Sequence, residues 1–456
     1  MKNKKVLKLV SLVLVGCLTF SLAACGETKT DSSTSTTVQE STATTTTDSS
    51  KEAVTIRLLS RWSGTDSSTP IWQAVQKQYM EKNPNVTIVD ESIAEEGAYN
   101  NKFKAALATN DMPAVFAVNG TLLAVEYAKS GVLQDLTSYF EQDKAWSDGL
   151  NESNINVSKF DVYGVKGIYS IPAQNAIEVM YYNKDLFKKA GIEKTPETYD
   201  ELLSDIEKLK TSGITPWGVG GKDTWRVGHI QNALLYKLTG VDKAIELGFK
   251  RTAKWTDADV VQSLKMLKDL KTMGAFQKDL EGINFEVEKA NFLSGKSAMV
   301  FNGTWFMGDI NTAGFQDNVG TFLFPYMKDK PQFKDHNITF PSGYSVSAKA
   351  SDLQKEHAVG FLKMFTSKEN QEKYVYETKN LPVRKDLQLD ASKTGAMFAE
   401  VSGLASMIKF GGMDTFDKDP LASMQDRTRN SFIGMLLGNT PEVTAKEIQD
   451  EIDANK

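Results

Sequence analysis

Cysteine and histidine are nearly missing from this chain, at two and three residues of 456. His229, His336 and His357 stand singly, without the His-Glu-x-x-His or Cys/His spacing that a zinc site needs. Each therefore reads as a surface or packing residue, and neither metal nor cofactor is expected. No Gly-x-Ser-x-Gly elbow occurs, and Gly218-Val219-Gly220-Gly221-Lys222 lacks the spacing that wraps a triphosphate. The acidic neighbours Asp90/Glu91 and Glu95/Glu96 are of a kind found in any acidic chain and do not define a glycosidase pair. Charge of one sign is also scarce: 53 basic and 58 acidic residues, intermixed, give a formal net charge of −5 and no basic stripe for a phosphate backbone. Nucleic acid is excluded as a partner, and nothing points to an enzyme.

What is present is an ordinary globular composition, 41% hydrophobic and 24% charged, with chain enough for two cored lobes. The first residues differ. Lys2, Lys4, Lys5 and Lys8 precede an apolar stretch over 9–15, and Ala23 and Ala24 follow, the pattern of an export signal. The alternative, a membrane-spanning anchor, needs about 20 apolar residues, and Lys8, Ser11 and Ser21 interrupt any such run. Leu22-Ala23-Ala24-Cys25-Gly26 resembles the lipobox of bacterial lipoproteins, which implies removal of residues 1–24 and a palmitate-type lipid anchor on Cys25. Cys17 lies in the removed part, so no disulfide is expected in the mature chain. From Glu27 to Ser50, Ser and Thr fill 16 of 24 positions, a composition that cannot repay the entropy of ordering. Residues 25–52 read as a lipidated tether, spanning about 25–30 Å by random-coil scaling.

Beyond the tether, Val54-Thr55-Ile56-Arg57-Leu58-Leu59 reads as a strand, and Ile71, Val75 and Tyr79 space out a helix that stops before Asn83-Pro84. A strand over 86–89, a helix over 99–108, a strand over 114–118 and a helix over 122–129 continue the alternation. That order predicts an open α/β sheet, with ligands beyond the carboxyl ends of the strands, where 60–62 and 119–121 fall. Thr198-x-x-Glu201 and Thr256-x-x-Asp259 read as capping boxes that open amphipathic helices, the first ended by Gly213 and the second by Gly274. No repeat and no linker divides the folded part, so two lobes must be joined by crossovers.

Aromatic rings recur beside glycines and amides: Arg61-Trp62-Ser63-Gly64, Thr224-Trp225 after Gly221, Asn302-Gly303-Thr304-Trp305, and Ser342-Gly343-Tyr344. A sugar offers C–H faces to rings and hydroxyl edges to amides and charged groups, so this company suits carbohydrate.

Several blocks, in order, resemble the extracellular solute-binding proteins to which maltose-binding proteins belong. They are Gly131-Val132-Leu133-Gln134-Asp135-Leu136-Thr137, Ile171-Pro172 through Tyr181-Tyr182-Asn183-Lys184-Asp185-Leu186-Phe187, Phe292-Leu293-Ser294-Gly295-Lys296-Ser297-Ala298-Met299 with Asn302-Gly303-Thr304-Trp305, Gly343-Tyr344-Ser345-Val346-Ser347, and Leu381-Pro382-Val383-Arg384. The resemblance implies a two-lobed, periplasmic-binding-protein-like α/β fold of type II, with a ligand cleft between lobes joined by hinge crossovers. It divides the chain into an N-terminal lobe, 53–172 with 344–400, and a C-terminal lobe, 177–340 with 404–456. Crossovers are expected near 173–176, 340–343 and 402–409.

It also implies the function: an extracytoplasmic lipoprotein, expected to be a monomer on the outer face of the cell membrane, that captures a sugar by lobe closure and hands it to ABC importer permease subunits. Trp305 matches the family's stacking tryptophan, and Trp225 lies on a contact loop of the same lobe. Arg61, Trp62, Asn119 and Thr121 are the first-lobe candidates. Gln174 and Asn175 in the crossover and Tyr344 complete the ligand set. The chain departs from the maltose pattern in having no tryptophan over 117–119, and in having Ala176 where maltose binders carry a glutamate, which moves the expected ligand toward another sugar or oligosaccharide. The competing functions are a secreted, glycosidase-like carbohydrate-processing enzyme and a surface glycan-binding adhesin.

Overall fold

The computed structural model describes residues 52–118, 121–415, 419 and 423–455; Cys25 and Asn119 lie outside them. The strand Val54–Leu59 shows why the first sheet forms. Its alternate residues Val54, Ile56 and Leu58 enter one core, against Ile71, Trp72 and Val75 of the helix Thr69–Lys82. Between them Arg57 points outward and pairs with Glu91 at 2.5 Å and Asp111 at 2.6 Å. The helix begins with Pro70 in its first turn, where a missing N–H costs nothing, and ends at Asn83 ahead of Pro84.

Five strands make the first sheet, in the order Val86–Asp90, Val54–Leu59, Val115–Ala117, Ser342–Val346, Ile171–Gln174. The first three run parallel, as strand–helix alternation predicts; Ser342–Val346 returns from far along the chain and is antiparallel to both neighbours. In the second sheet Glu178–Asn183 lies between Met299–Gly303 and Val319–Phe322, antiparallel to both. Each sheet has a separate core. Leu202, Ile206, Leu209, Leu264, Leu267 and Leu270 supply much of the second, on the stripes read from sequence.

The Thr198 capping box forms: Glu201 N–H donates to the Thr198 hydroxyl at 3.4 Å, and Thr198 N–H to the Glu201 carboxylate at 3.0 Å. The one expected at Thr256 does not. That helix, Ala258–Thr272, starts after Asp257, whose carboxylate instead accepts from Lys254 N–H at 2.9 Å, so a turn competes successfully for the cap.

Two chain passages between the sheets lie side by side. Phe340 N–H donates to Ala176 O at 2.7 Å, Ile177 bridges Thr339, and Asn175 bridges Leu381. The third passage differs from the expected 402–409. Met397, Phe398 and Val401 of the helix Ala396–Met407 already pack with Val179, Tyr181 and Val300 of the second sheet, so the chain has left the first lobe before Ala396. An apolar helix pattern identifies a helix but not the sheet it covers.

Candidate functional site

The loop after the first strand is pinned from below. Ser60 N–H donates to the Ser92 hydroxyl at 3.0 Å, and Trp62 N–H donates to the Ser60 hydroxyl at 3.1 Å. Arg61, half-buried at the strand end, donates from Nη2 to Ala94 O at 3.0 Å and pairs through Nη1 with Glu96 at 3.5 Å. Glu95 is committed to capping the helix Glu96–Thr109, accepting from Gly97 and Ala98 N–H. The Gly97 and Ala98 N–H groups hold its carboxyl below the usual carboxylate range. Thr121 opens the helix Thr121–Lys129, with its hydroxyl 3.8 Å from the Met413 sulfur of the opposite lobe.

Beside the crossover, the second lobe carries a group of rings. Register pairs Glu178 with Gly303, so the end of Met299–Gly303 abuts the crossover, where Thr304 N–H donates to Ile177 O at 3.0 Å. Asn302 Oδ1 accepts from Gly303 N–H and from Trp305 Nε1, both at 2.9 Å, and thereby aims the indole. A Cβ at position 303 would overlap that ring, so Asn302-Gly303-Thr304-Trp305 is a device for laying an indole on bare backbone. Trp305 meets Trp225 at 6.5 Å between centroids and Phe340 at 5.7 Å, both near 60°. Trp225, first residue of the helix Trp225–Thr239, also meets Phe285 at 5.0 Å. All four rings are half-buried. Gln174 and Asn175, also half-buried, lie in the crossover beside Phe340, and the Ser342 hydroxyl is 3.5 Å from Gln174 Oε1.

Two expected ligand residues are not on this face. Trp62 is 7% exposed and Tyr344 5%. Trp62 sits among Trp72, Tyr344, Phe365 and Tyr374, at 5.2 to 6.1 Å, and Tyr344 stacks on Trp72 at 4.8 Å. Their rings are committed to the first-lobe core. Tyr344 lies opposite Ala117 in an interior strand, where both faces of the sheet are covered and a ring beside a glycine has no cleft to enter.

Sequence reasoning missed the support beneath the rings. Arg226 is buried with its Cζ 4.6 Å from the Trp225 ring and pairs with Glu288 at 2.7 Å. His229, one turn on, lies between Glu178 (2.5 Å from Nδ1) and Asp414 (3.3 Å from Nε2) and stacks on Phe340 at 4.7 Å. Burial alone would lower the His229 pKa; the Asp414 and Glu178 carboxylates outweigh that and push it up to about 9. The structure buries the helix from Arg226 to Lys237 on nearly every face, charges included, and no motif or spacing in the sequence points to that.

The lobes also touch where Tyr163 meets Phe249 edge-on at 4.8 Å. A separate groove of about 730 Å³, lined by Tyr199, Leu203, Met266, Met273 and Met327 among others, shares no residue with the ring group. Among the described residues, no His/Cys/Asp/Glu cluster fits a metal ion, and no helix is long and apolar enough to cross a membrane.

The chain matches the family described as bacterial extracellular solute-binding protein over residues 64–372. It is 25% identical to the multiple sugar-binding protein of Streptococcus mutans over 82% of each chain. Over 60% of each chain it is 28% identical to the sn-glycerol-3-phosphate-binding periplasmic protein UgpB of Rhizobium meliloti. Among solved structures, a chitin oligosaccharide binding protein superposes with a TM-score of 0.81 at 26% identity, covering 88% of this chain and 98% of that one. Maltose-bound MalE3 of T. maritima shares the fold, with a TM-score of 0.74 at 18% identity over 89% of this chain and 100% of that one. These are binding proteins, not enzymes. This two-lobed α/β chain belongs to the bacterial extracellular solute-binding proteins.

Proposed function

We propose that the chain binds an uncharged sugar or short oligosaccharide between its lobes, with Trp305 and Trp225 as the stacking surface, and delivers it to the permease subunits of an ABC importer. The observation that carries this reading is the half-buried ring group of Trp225, Trp305, Phe285 and Phe340 at the crossover. Aromatic rings that neighbouring rings hold together but leave partly exposed suit the C–H face of a pyranose. Arg61, Thr121, Gln174 and Asn175 are the hydrogen-bonding groups around it, with Asn119 in the same first-lobe loop by sequence.

The resemblance to a chitin oligosaccharide binder and to a multiple sugar-binding protein supports a saccharide. The similarity to a glycerol-3-phosphate binder raises an anionic ligand as a second reading. Electrostatics favour the first: Arg226, His229 and Lys289 against the ring group, and Arg61 on the first lobe, each have a carboxylate within 3.5 Å. A phosphate would have to displace one of these partners.

Lipidation of Cys25 on a cleaved N-terminus anchors the protein to the outer face of the membrane in this reading, and it acts as a monomer. Cys25→Ser is expected to move the protein from the membrane fraction to the medium; a variant that still sediments with membranes refutes the anchor.

A thermal-shift and calorimetric screen of neutral mono- and oligosaccharides beside sn-glycerol 3-phosphate tests the ligand. A raised melting temperature with one saccharide, and that saccharide recovered unchanged, is expected. New reducing ends, or a response to the phosphate alone, refute the proposal.

A further inference from the structure

Six charged side chains form one buried row behind the rings. In spatial order they are Glu288, Arg226, Glu178, His229, Asp414 and Arg429, alternating in sign when His229 is a cation. They come from five separate places: the helix Phe285–Leu293, the helix Trp225–Thr239, the first residue of the strand after the crossover, the segment after Phe410–Gly412, and the helix Ser423–Leu437. Rows of this kind seldom stabilise a fold more than apolar side chains of the same volume would, because each ion has lost its water. Their placement here is specific. Arg226 lies under Trp225 and Phe285, and His229 contacts Trp225 and Phe340, so the row touches three of the four platform rings.

We propose that Glu178 and His229 are positioning residues for the aromatic platform, holding Phe340 and Trp225 at the setting that receives a saccharide face. This rests on the reading of the platform as the ligand site. Both His229 nitrogens face carboxylate oxygens, 2.5 Å from Nδ1 and 3.3 Å from Nε2. Two acceptors satisfy an imidazole on both sides only when both nitrogens carry hydrogen, which is the cation. Held at both ends, the ring plane is fixed, and Phe340 stacks on it with an interplanar angle of 22°. Phe340 is itself tied to the crossover through Ala176 O, and Trp305 leans on both Phe340 and Trp225. Glu178 thus fixes His229, His229 fixes two rings, and those rings fix the third. The charged groups that act on His229 are Glu178 and Asp414 directly, Arg226 and Glu288 on the Glu178 side, and Arg429 behind Asp414.

The test uses the full chain with His229→Gln and Glu178→Gln, N,N′-diacetylchitobiose and xylobiose as probes for calorimetry, and acrylamide quenching of tryptophan fluorescence without ligand. Each variant is expected to weaken binding of whichever saccharide the wild type binds by about tenfold, the scale of coupling within one buried network, and to quench more readily while keeping its far-ultraviolet circular dichroism. Wild-type affinity is expected to hold from pH 7 to 8 and fall as pH rises through about 9, where the imidazolium loses its proton, whereas His229→Gln shows no such fall.

Folded variants that bind and quench like the wild type overturn the proposal, as does a wild-type affinity flat from pH 7 to 10. If Glu178→Gln does not fold, His229→Gln decides; if neither folds, the wild-type pH profile does. If the wild type binds no saccharide, the functional reading fails, and quenching of the ligand-free variants still decides whether the rings are held by this pair.

Discussion

Trp305→Ala separates a binding ring from a core ring. The indole is half-buried, lies on the backbone of Gly303, and touches Trp225 and Phe340 only at angles near 60°. Its loss leaves Asn302 Oδ1 still accepting from Gly303 N–H at 2.9 Å, so no new unpaired acceptor appears in the strand. If a sugar covers about 100 Å² of the ring, the transfer term at ~25 cal/mol/Å² is about 2.5 kcal/mol, or about 70-fold in Kd. The stability cost of a half-buried ring is smaller than for a core ring, about 1–2 kcal/mol. Trp62→Ala is the contrast: four aromatic neighbours enclose it, and its removal is expected to cost about 3–5 kcal/mol of folding free energy while leaving affinity nearly unchanged. Calorimetry with the saccharide found by screening, run beside urea unfolding of both variants, gives the two numbers. Trp305→Ala binding within twofold of wild type while folded refutes the stacking assignment, and a Trp62→Ala variant that loses affinity at full stability refutes the reading of Trp62 as a core ring.

Gly303→Ala keeps the indole but places a methyl group where it lies; an affinity loss approaching that of Trp305→Ala, with a shifted tryptophan emission, is expected by calorimetry and fluorescence. Phe249→Ala removes the edge-on contact with Tyr163 across the lobes. An aromatic pair contributes about 0.5–1.5 kcal/mol, so stopped-flow dissociation should quicken by about two- to tenfold with association unchanged. Asp386 is held down at about 2 by Arg384, which it meets twice at 2.8 Å, with Lys368 adding to the effect. Its stabilisation is therefore complete above the unfolded value of 3.8 and lost as pH falls through about 2. Asp386→Asn should be about 1–3 kcal/mol less stable at pH 7 by urea unfolding, and the difference should vanish near pH 2.

The elements that sequence made legible are those whose signal is local. The helix Thr69–Lys82 announces itself by Ile71, Val75 and Tyr79 and by Pro84 beyond its end; Thr198 and Glu201 make their cap within four residues. The seat of the Trp305 indole is local in the same way, since the glycine and asparagine that hold it are its near neighbours, while its contact with a ligand stands as proposed. Trp62 and Tyr344 carry similar neighbours and are core, because whether a ring meets a cleft depends on which strands flank it, and Ser342–Val346 joins the first sheet from more than 160 residues beyond Ile171–Gln174. The charged row was hidden more thoroughly. Glu178, His229 and Asp414 are 51 and 185 residues apart along the chain, and nothing local distinguishes them from surface charges.

In the proposed reading the two sides of the site are built differently, and the difference bears on how capture proceeds. Second-lobe rings are fixed three times over: by Asn302 on Trp305, by the stack of His229 on Phe340, and by Arg226 beneath Trp225. The first lobe contributes half-buried polar groups instead, with Arg61 resting on a backbone carbonyl and Glu96, and Thr121 at a helix start. A preformed apolar face loses little freedom when a ligand arrives, so in the proposed reading first contact belongs to the second lobe. Because Phe340 and Thr304 are tied by hydrogen bonds to the crossover itself, at Ala176 and Ile177, the platform sits beside the crossover that joins the lobes. In the proposed reading, closure about that crossover displaces a ring surface there least, which lets one set of contacts serve both the open and the closed protein and leaves the first-lobe hydrogen bonds to supply the differential affinity that closure requires.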